Sequence, residues 1–214
     1  MFLEPGVSIG WRPSMFNSLV VPRPIGWIGT VGRDGVPNLA PFSYFNALSS
    51  QPPMVMFCCN AQHAEGGEKD SLANARASGE FTANLVTLEL AEAMNASSAP
   101  APRAVDEFAL AGLHAAAGTR VAAPGVDEAP VRLECRVVEI VRLPTDEASG
   151  QTNTMVIGRV VGVHIRDGLV DAEGRVDLQP QLPLARLGGL RYGVVETTLD
   201  MPRPAWPSTH GSAR

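Results

Sequence analysis

Four consecutive residues, Glu68-Lys69-Asp70-Ser71, set two acids, one base and a hydroxyl at the start of a segment that reads as a helix through about Ser78. The free N–H groups and positive dipole end of a helix start suit a phosphate. Lys69 would add a full charge and Ser71 a hydroxyl. The same four residues also fit a solvated, capped helix start with no ligand. Lys69 draws notice because it is the one lysine in the chain, against sixteen arginines. A second group, Ser43-Tyr44-Phe45-Asn46, places hydroxyl and amide groups beside two aromatic rings, between proline-marked breaks. A flat aromatic ligand needs apolar walls and a few fixed polar groups. The alternative there is a turn at the edge of the core. Asn84 and Asn153 are amides close to strand-like segments, able to bond the edge of a heteroaromatic ring. His164 lies inside an apolar strand, where a lone histidine is either a satisfied core or interface residue or a catalytic one.

Several chemistries lack their residues. No Gly-x-Gly-x-x-Gly follows a strand and no phosphate loop of the Gly-x-x-x-x-Gly-Lys type occurs. No Gly-x-Ser-x-Gly elbow is present either. A Rossmann dinucleotide site and a serine hydrolase are thereby disfavoured. The three cysteines are Cys58, Cys59 and Cys135, with no zinc-like Cys/His spacing. Adjacent strand residues face opposite ways, so Cys58 and Cys59 are not expected to bond each other. A reducing, cytoplasmic location follows as the expectation.

The elements that must hold these residues are mostly strands. Residues 23–31 read as a strand after a proline-bracketed entry, Gly32-Arg33-Asp34-Gly35 as its hairpin turn, and residues 36–41 as an edge-like strand carrying Pro37 and Pro41. Met54–Cys59 is a continuous apolar run, expected to be buried on both faces. Phe81–Val86 is strand-like, Glu89–Ala96 a short helix and Asp106–Leu113 a helical piece. Residues 115–130 read as a loop with little pattern. Val131–Val141 alternates apolar and polar as a half-buried strand. The β-branched run Thr154–Ile165 contains Gly158 and Gly162, which suggest bends or close backbone approach. Residues 170–176 read as a further hairpin or turn. The sum is an antiparallel barrel with helical insertions, with no βαβ repetition.

Composition agrees. The chain has 214 residues, 45% hydrophobic and 18% charged, with 21 glycines and 18 prolines. This is a folded domain rich in turns, not a disordered chain. A formal net charge of −5 shows no nucleic-acid footprint. No apolar run is long enough for a membrane span, and no signal peptide is visible. The expected organisation is one domain over residues 1–204 with a disordered tail over 205–214.

Taken in order, Arg23-Pro24-Ile25-Gly26-Trp27-Ile28, Asn38-Leu39-Ala40-Pro41-Phe42-Ser43-Tyr44-Phe45-Asn46, Pro52-Pro53, Lys69-Asp70-Ser71, Gly79-Glu80-Phe81, Asn84-Leu85-Val86, Ala91-Glu92-Ala93-Met94-Asn95, residues 155–164 and Leu184-Ala185-Arg186-Leu187-Gly188-Gly189 resemble the flavin reductase-like family of FMN-binding split barrels. Each motif is loose by itself; the ordered set, covering about residues 10–204, is specific. The resemblance implies a mainly β fold: a six-stranded antiparallel split β-barrel that forms a homodimer with FMN near the interface. It implies that Ser43, Phe45, Asn46 and Ala47 line the isoalloxazine ring. It also implies that Lys69, Asp70 and Ser71 hold the phosphate end, helped by the Arg23–Thr30 region, including Trp27. Asn84 and Asn153 complete the candidate set, and no catalytic side chain or metal ligand is assigned.

One departure is visible. The best-known short reductases of the family carry a histidine shortly before the strand motif that Met155-Val156-Ile157-Gly158 matches, and Asn153 stands near that place here. The implied activity is NAD(P)H-dependent flavin reduction, with NADH or NADPH as co-substrate and a monooxygenase as possible partner. The alternatives are an electron-carrier flavoprotein reduced by a protein partner without a nicotinamide site, and a barrel that has exchanged flavin for heme or another ligand.

Overall fold

A computed structural model of the protein describes residues 1–145, 147 and 149–206. In chain order the strands are β1 (Arg23–Pro24), β2 (Gly26–Val31), β3 (Pro37–Phe42), β4 (Phe45–Ser50), β5 (Pro53–Asn60), β6 (Glu80–Leu85), β7 (Ala115–Ala116), β8 (Gly125–Val126), β9 (Val131–Arg142), β10 (Asn153–Ile165), β11 (Leu184–Gly188) and β12 (Arg191–Val194). The α-helices are α1 (Pro13–Leu19), α2 (Asp70–Ser78), α3 (Ala91–Ala96) and α4 (Glu107–Leu110). Strands β3-β2-β6-β9-β10-β5-β4 form the main sheet in that order, with every pair antiparallel. A smaller sheet holds β1, β11 and β12.

The two ends of the seven-strand order, β3 and β4, are neighbours in sequence. Only Ser43 and Tyr44 separate Phe42 from Phe45. Three Cα steps span about 11 Å at most, so the sheet must curl until its edges meet. That closure is the barrel. Six strands were expected; seven segments occur because the Ser43–Tyr44 bend divides one strand position into β3 and β4. Pro37 and Pro41 lie on β3, an end strand of the sheet, as their missing N–H groups require.

Period-two alternation places the core. On β2, Ile28 points into the barrel with Phe57, Phe81, Cys135 and Val156, while Trp27 points out to Leu39, Met94, Phe108 and Val126. Inside the barrel, the Phe57 ring lies 5.1 Å from both Phe42 and Phe81. A Cβ on Gly158 would stand 2.4 Å from the Phe81 ring, and β10 slips register beside both Gly158 and Gly162. The expected bends and close approach are present. Cys58 and Cys59 face opposite ways, and all three cysteines are free thiols. Burial pushes Cys59 and Cys135 up to about 12, leaving both as inert core thiols.

Two expectations need correction. On β5 only Val55, Phe57, Cys58 and Cys59 are buried; Met54 and Met56, on the face opposite Val55, Phe57 and Cys59, are half-exposed. Residues 115–130 are not patternless. They hold β7 and β8, and their backbone N–H groups are satisfied by carboxylates from the sheet. Glu134 accepts from Thr119, Arg120 and Val121 at 2.8, 2.5 and 3.0 Å, and Glu80 accepts from Ala122 at 2.7 Å. His164, itself partly exposed, donates its ring N–H to the same buried Glu134 carboxylate. Residues 207–214, most of the segment expected to be a disordered tail, lie outside the described residues. Among the described residues no helix is long and apolar enough to cross a membrane.

The outer core rests on α4, whose Phe108 is 1% exposed. Asp106 caps this helix, accepting from the Phe108 and Ala109 N–H groups at 2.8 and 3.3 Å. Asp106→Ala is expected to lower unfolding free energy by about 1 kcal/mol. A urea melt tests this, and an unchanged midpoint would refute it.

Candidate functional site

A cleft of about 450 Å³ opens at the bend where the barrel closes. One wall is the β3–β4 junction, from Ala40 to Tyr44. A second is the end of β5 and the loop after it, with Cys58, Asn60, Gln62 and His63. A third is the start of α2, with Lys69, Asp70 and Ser71. The loop after α3, residues 97–101, faces them. The cleft size lies within the range of small-molecule sites. Its walls mix apolar Pro41, Phe42, Ala99 and Pro100 with the polar groups that follow.

At the start of α2, Lys69 is the capping residue but its side chain caps nothing. The N–H groups of Asp70 and Ser71 lie in the first turn and have no acceptor within the helix. Ser71 is 2% exposed. Its Oγ accepts from the Asn38 amide at 2.9 Å, and its own proton has no acceptor among the described residues. Asn38 donates also to Thr30 Oγ1 at 3.2 Å, as does Asn74. Buried hydrogen bonds thus fix the floor of the cleft. Glu107 contributes a carboxyl that burial pushes up and the Leu39 N–H, 3.1 Å away, holds down. Asp70 is engaged by Arg103 and lies 3.4 Å from His63 Nε2.

The structure brings Ser43, Lys69, Asp70 and Ser71 together in this cleft. The other sequence candidates stand elsewhere. Trp27 is sealed in the outer core and donates its indole N–H to Ser97 Oγ at 2.9 Å. Thr30 is buried one layer below the cleft and reaches it only through Asn38. Asn84 is spent inside, donating to the Trp27 carbonyl at 2.8 Å and accepting from the Val126 N–H at 2.9 Å. Arg23 is buried against the end of α1, where it donates to the Asn17 and Val20 carbonyls. Its guanidinium carbon lies 5.7 Å from the centre of the Tyr44 ring. Phe45 packs on the barrel core over Gly26, and Asn46 and Ala47 are exposed on β4. Asn153 lines a separate depression with Trp11 and Gln151; that depression shares Tyr44, Cys58 and Asn60 with the cleft.

Sequence reasoning missed His63, Asn38, Glu107, Arg103 and the 97–101 wall. His63, Arg103 and the 97–101 wall sit in segments without periodicity, and only the fold brings all of these residues near Lys69. The one sequence signal available was Asp106-Glu107, an acid pair opening a helical piece.

Comparisons with known proteins agree with this fold. The family model for the flavin reductase like domain matches residues 17–182. A protein of Deinococcus radiodurans, itself uncharacterized, is 40% identical over 185 residues, 83% of this chain and 78% of that protein. The solved structure of nitrilotriacetate monooxygenase component B from Bacillus cereus superposes with a TM-score of 0.82 at 27% identity, covering 94% of this chain and all of that one. The 2-nitrobenzoate 2-nitroreductase of Pseudomonas fluorescens does so at 0.80 and 26%, over 96% and 97%. With the match spanning the barrel, the cleft and the start of α2, this chain belongs to the flavin reductase-like domain family, a family of flavin-binding oxidoreductases.

Proposed function

We propose that this chain is an FMN-dependent oxidoreductase that accepts hydride from NADH or NADPH, working as a homodimer of one split-barrel domain over residues 1–204 in the cytoplasm. The single observation that carries the reading is a lysine without a partner among the described residues, at a free helix N-terminus that opens onto a cleft with a partly apolar wall. The residues present fit the cofactor. Lys69, the Ser71 hydroxyl and the first N–H groups of α2 match a phosphate monoester in charge and donor type. Pro41, Phe42, Ser43, Tyr44 and Cys58 offer the mixed surface a flavin ring needs.

When bound, FMN supplies a ring that takes up hydride and passes electrons on singly or in pairs. The protein's own part is to bind the phosphate, to hold the ring against the β3–β4 junction, and to exclude water with the 97–101 loop. That division of labour explains why no acid–base pair is needed.

Exposed apolar surface supports the dimer. Exposed apolar side chains are concentrated before β1 and after β11, among them Phe2, Ile9, Leu19, Leu190, Leu199 and Met201. A partner monooxygenase fits a reductase that delivers reduced flavin, as the name of the Bacillus cereus relative also suggests.

The test is the absorbance of the purified protein with FMN, before and after NADH or NADPH is added without oxygen. Flavin bands that bleach are the expected result. Bands that persist with both nucleotides would replace the reading with an electron carrier fed by a protein partner. A protein that takes up no FMN would refute the flavin site.

A further inference from the structure

Lys69 lies between two acids in sequence, yet neither acid is its partner. Glu68 is held by Arg76, whose Nε and Nη2 stand 3.1 and 2.8 Å from its two carboxylate oxygens. Asp70 is held by Arg103, whose Nη1 contacts Oδ1. The other amino group of Arg103 donates to the Gly66 and Glu68 carbonyls at 2.7 and 3.0 Å. Arg103 therefore straps the loop before α2 to its first residue. Among the described residues, Lys69 makes no hydrogen bond or ion pair.

The two pairings differ in weight. Arg76 and Glu68 are 48% and 41% exposed, so water screens them. Asp70 is only 17% exposed and lies at the first helical residue, where an anion would meet the free N–H groups. Left alone, its carboxylate would compete for the Lys69 ammonium and repel a phosphate at the same place.

We propose that Arg103 is a positioning residue for the flavin phosphate: by occupying the Asp70 carboxylate it leaves Lys69 free to meet the phosphate. Arg103 acts through Asp70 and needs no contact with the ligand. This inference rests on the reading of the cleft as an FMN site.

The experiment titrates the full-length protein with FMN and with riboflavin, which has the same ring and no phosphate, following fluorescence quenching. For Arg103→Ala the FMN dissociation constant is expected to rise about tenfold, with that of riboflavin almost unchanged. Adding Asp70→Asn to Arg103→Ala should recover most of the lost FMN affinity, because no carboxylate is left to compete. Arg103→Lys, which keeps the charge and guards against a variant that fails to fold, should keep most of it too. Equal losses for FMN and riboflavin would mean that Arg103 only braces the loop. A double variant no tighter than Arg103→Ala would mean that Arg103 meets the phosphate itself. Either result overturns the proposal. An unaltered protein that binds FMN no tighter than riboflavin would overturn the phosphate site first, which separates the two failures.

Discussion

Glu134→Gln is expected to lower the unfolding free energy by about 3 kcal/mol at pH 7. The side chain is 1% exposed, and its two oxygens accept three backbone N–H groups and the His164 ring. Burial works to raise its pKa, but these donors outweigh it and hold the carboxyl at about 2, against an ordinary value of 4.5. A glutamine places an NH₂ group where two N–H donors already point, so at least one backbone donor is left without a partner. The sign of the pH dependence follows. The folded value lies below the unfolded one, so the stabilisation is complete above about pH 4.5 and is lost as pH falls towards 2. Urea midpoints of the unaltered protein should fall across that window, and those of Glu134→Gln should lack this part of the fall. A variant as stable as its parent at pH 7 would refute the clamp.

The second large effect falls on binding. Lys69→Ala should weaken FMN by about 1.5–3 kcal/mol, roughly ten- to more than a hundredfold, the worth of a charge-assisted hydrogen bond to phosphate. Its side chain is half-buried and, among the described residues, makes no hydrogen bond or ion pair, so the variant's thermal midpoint without flavin should stay close to the parent's. Riboflavin affinity should also stay, since Lys69 has no other assigned partner. Fluorescence titration reads all of this, and unchanged FMN affinity would remove the phosphate from the start of α2.

Much of this molecule was readable from residue types. Gly158 and Gly162 announced the bends of β10, because a strand of β-branched residues interrupted by glycine leaves room for something, here the Phe81 ring. The helix start at Lys69 to Ser71 was readable because helix-start chemistry is local. Trp27 was placed in the site by resemblance and Asn84 by its amide beside a strand, yet each is sealed in the interior with its polar atoms satisfied. Nothing local distinguishes an asparagine that binds a ligand from one that ties two strands to a loop. Arg103 and Glu134 escaped for the opposite reason. Arg103 acts on a residue 33 positions away and Glu134 on a loop 13–15 positions away. Such pairings leave no periodic trace, since the order of the fold alone creates them.

The order of strands has a consequence for how the chain is made. β5 pairs with β4 beside it and, on its other edge, with β10, about a hundred residues further on. At ribosomal rates of about 5–20 residues per second, that second partner emerges roughly 5–20 s after β5. For that interval the hairpin of β4 and β5 carries an unpaired edge along Met54–Cys59, a run of apolar residues that other chains can extend into a sheet. The nascent protein is therefore most open to aggregation before β10 appears, and changes that raise the polarity of Met54 or Met56 act on yield at that stage rather than on the finished barrel.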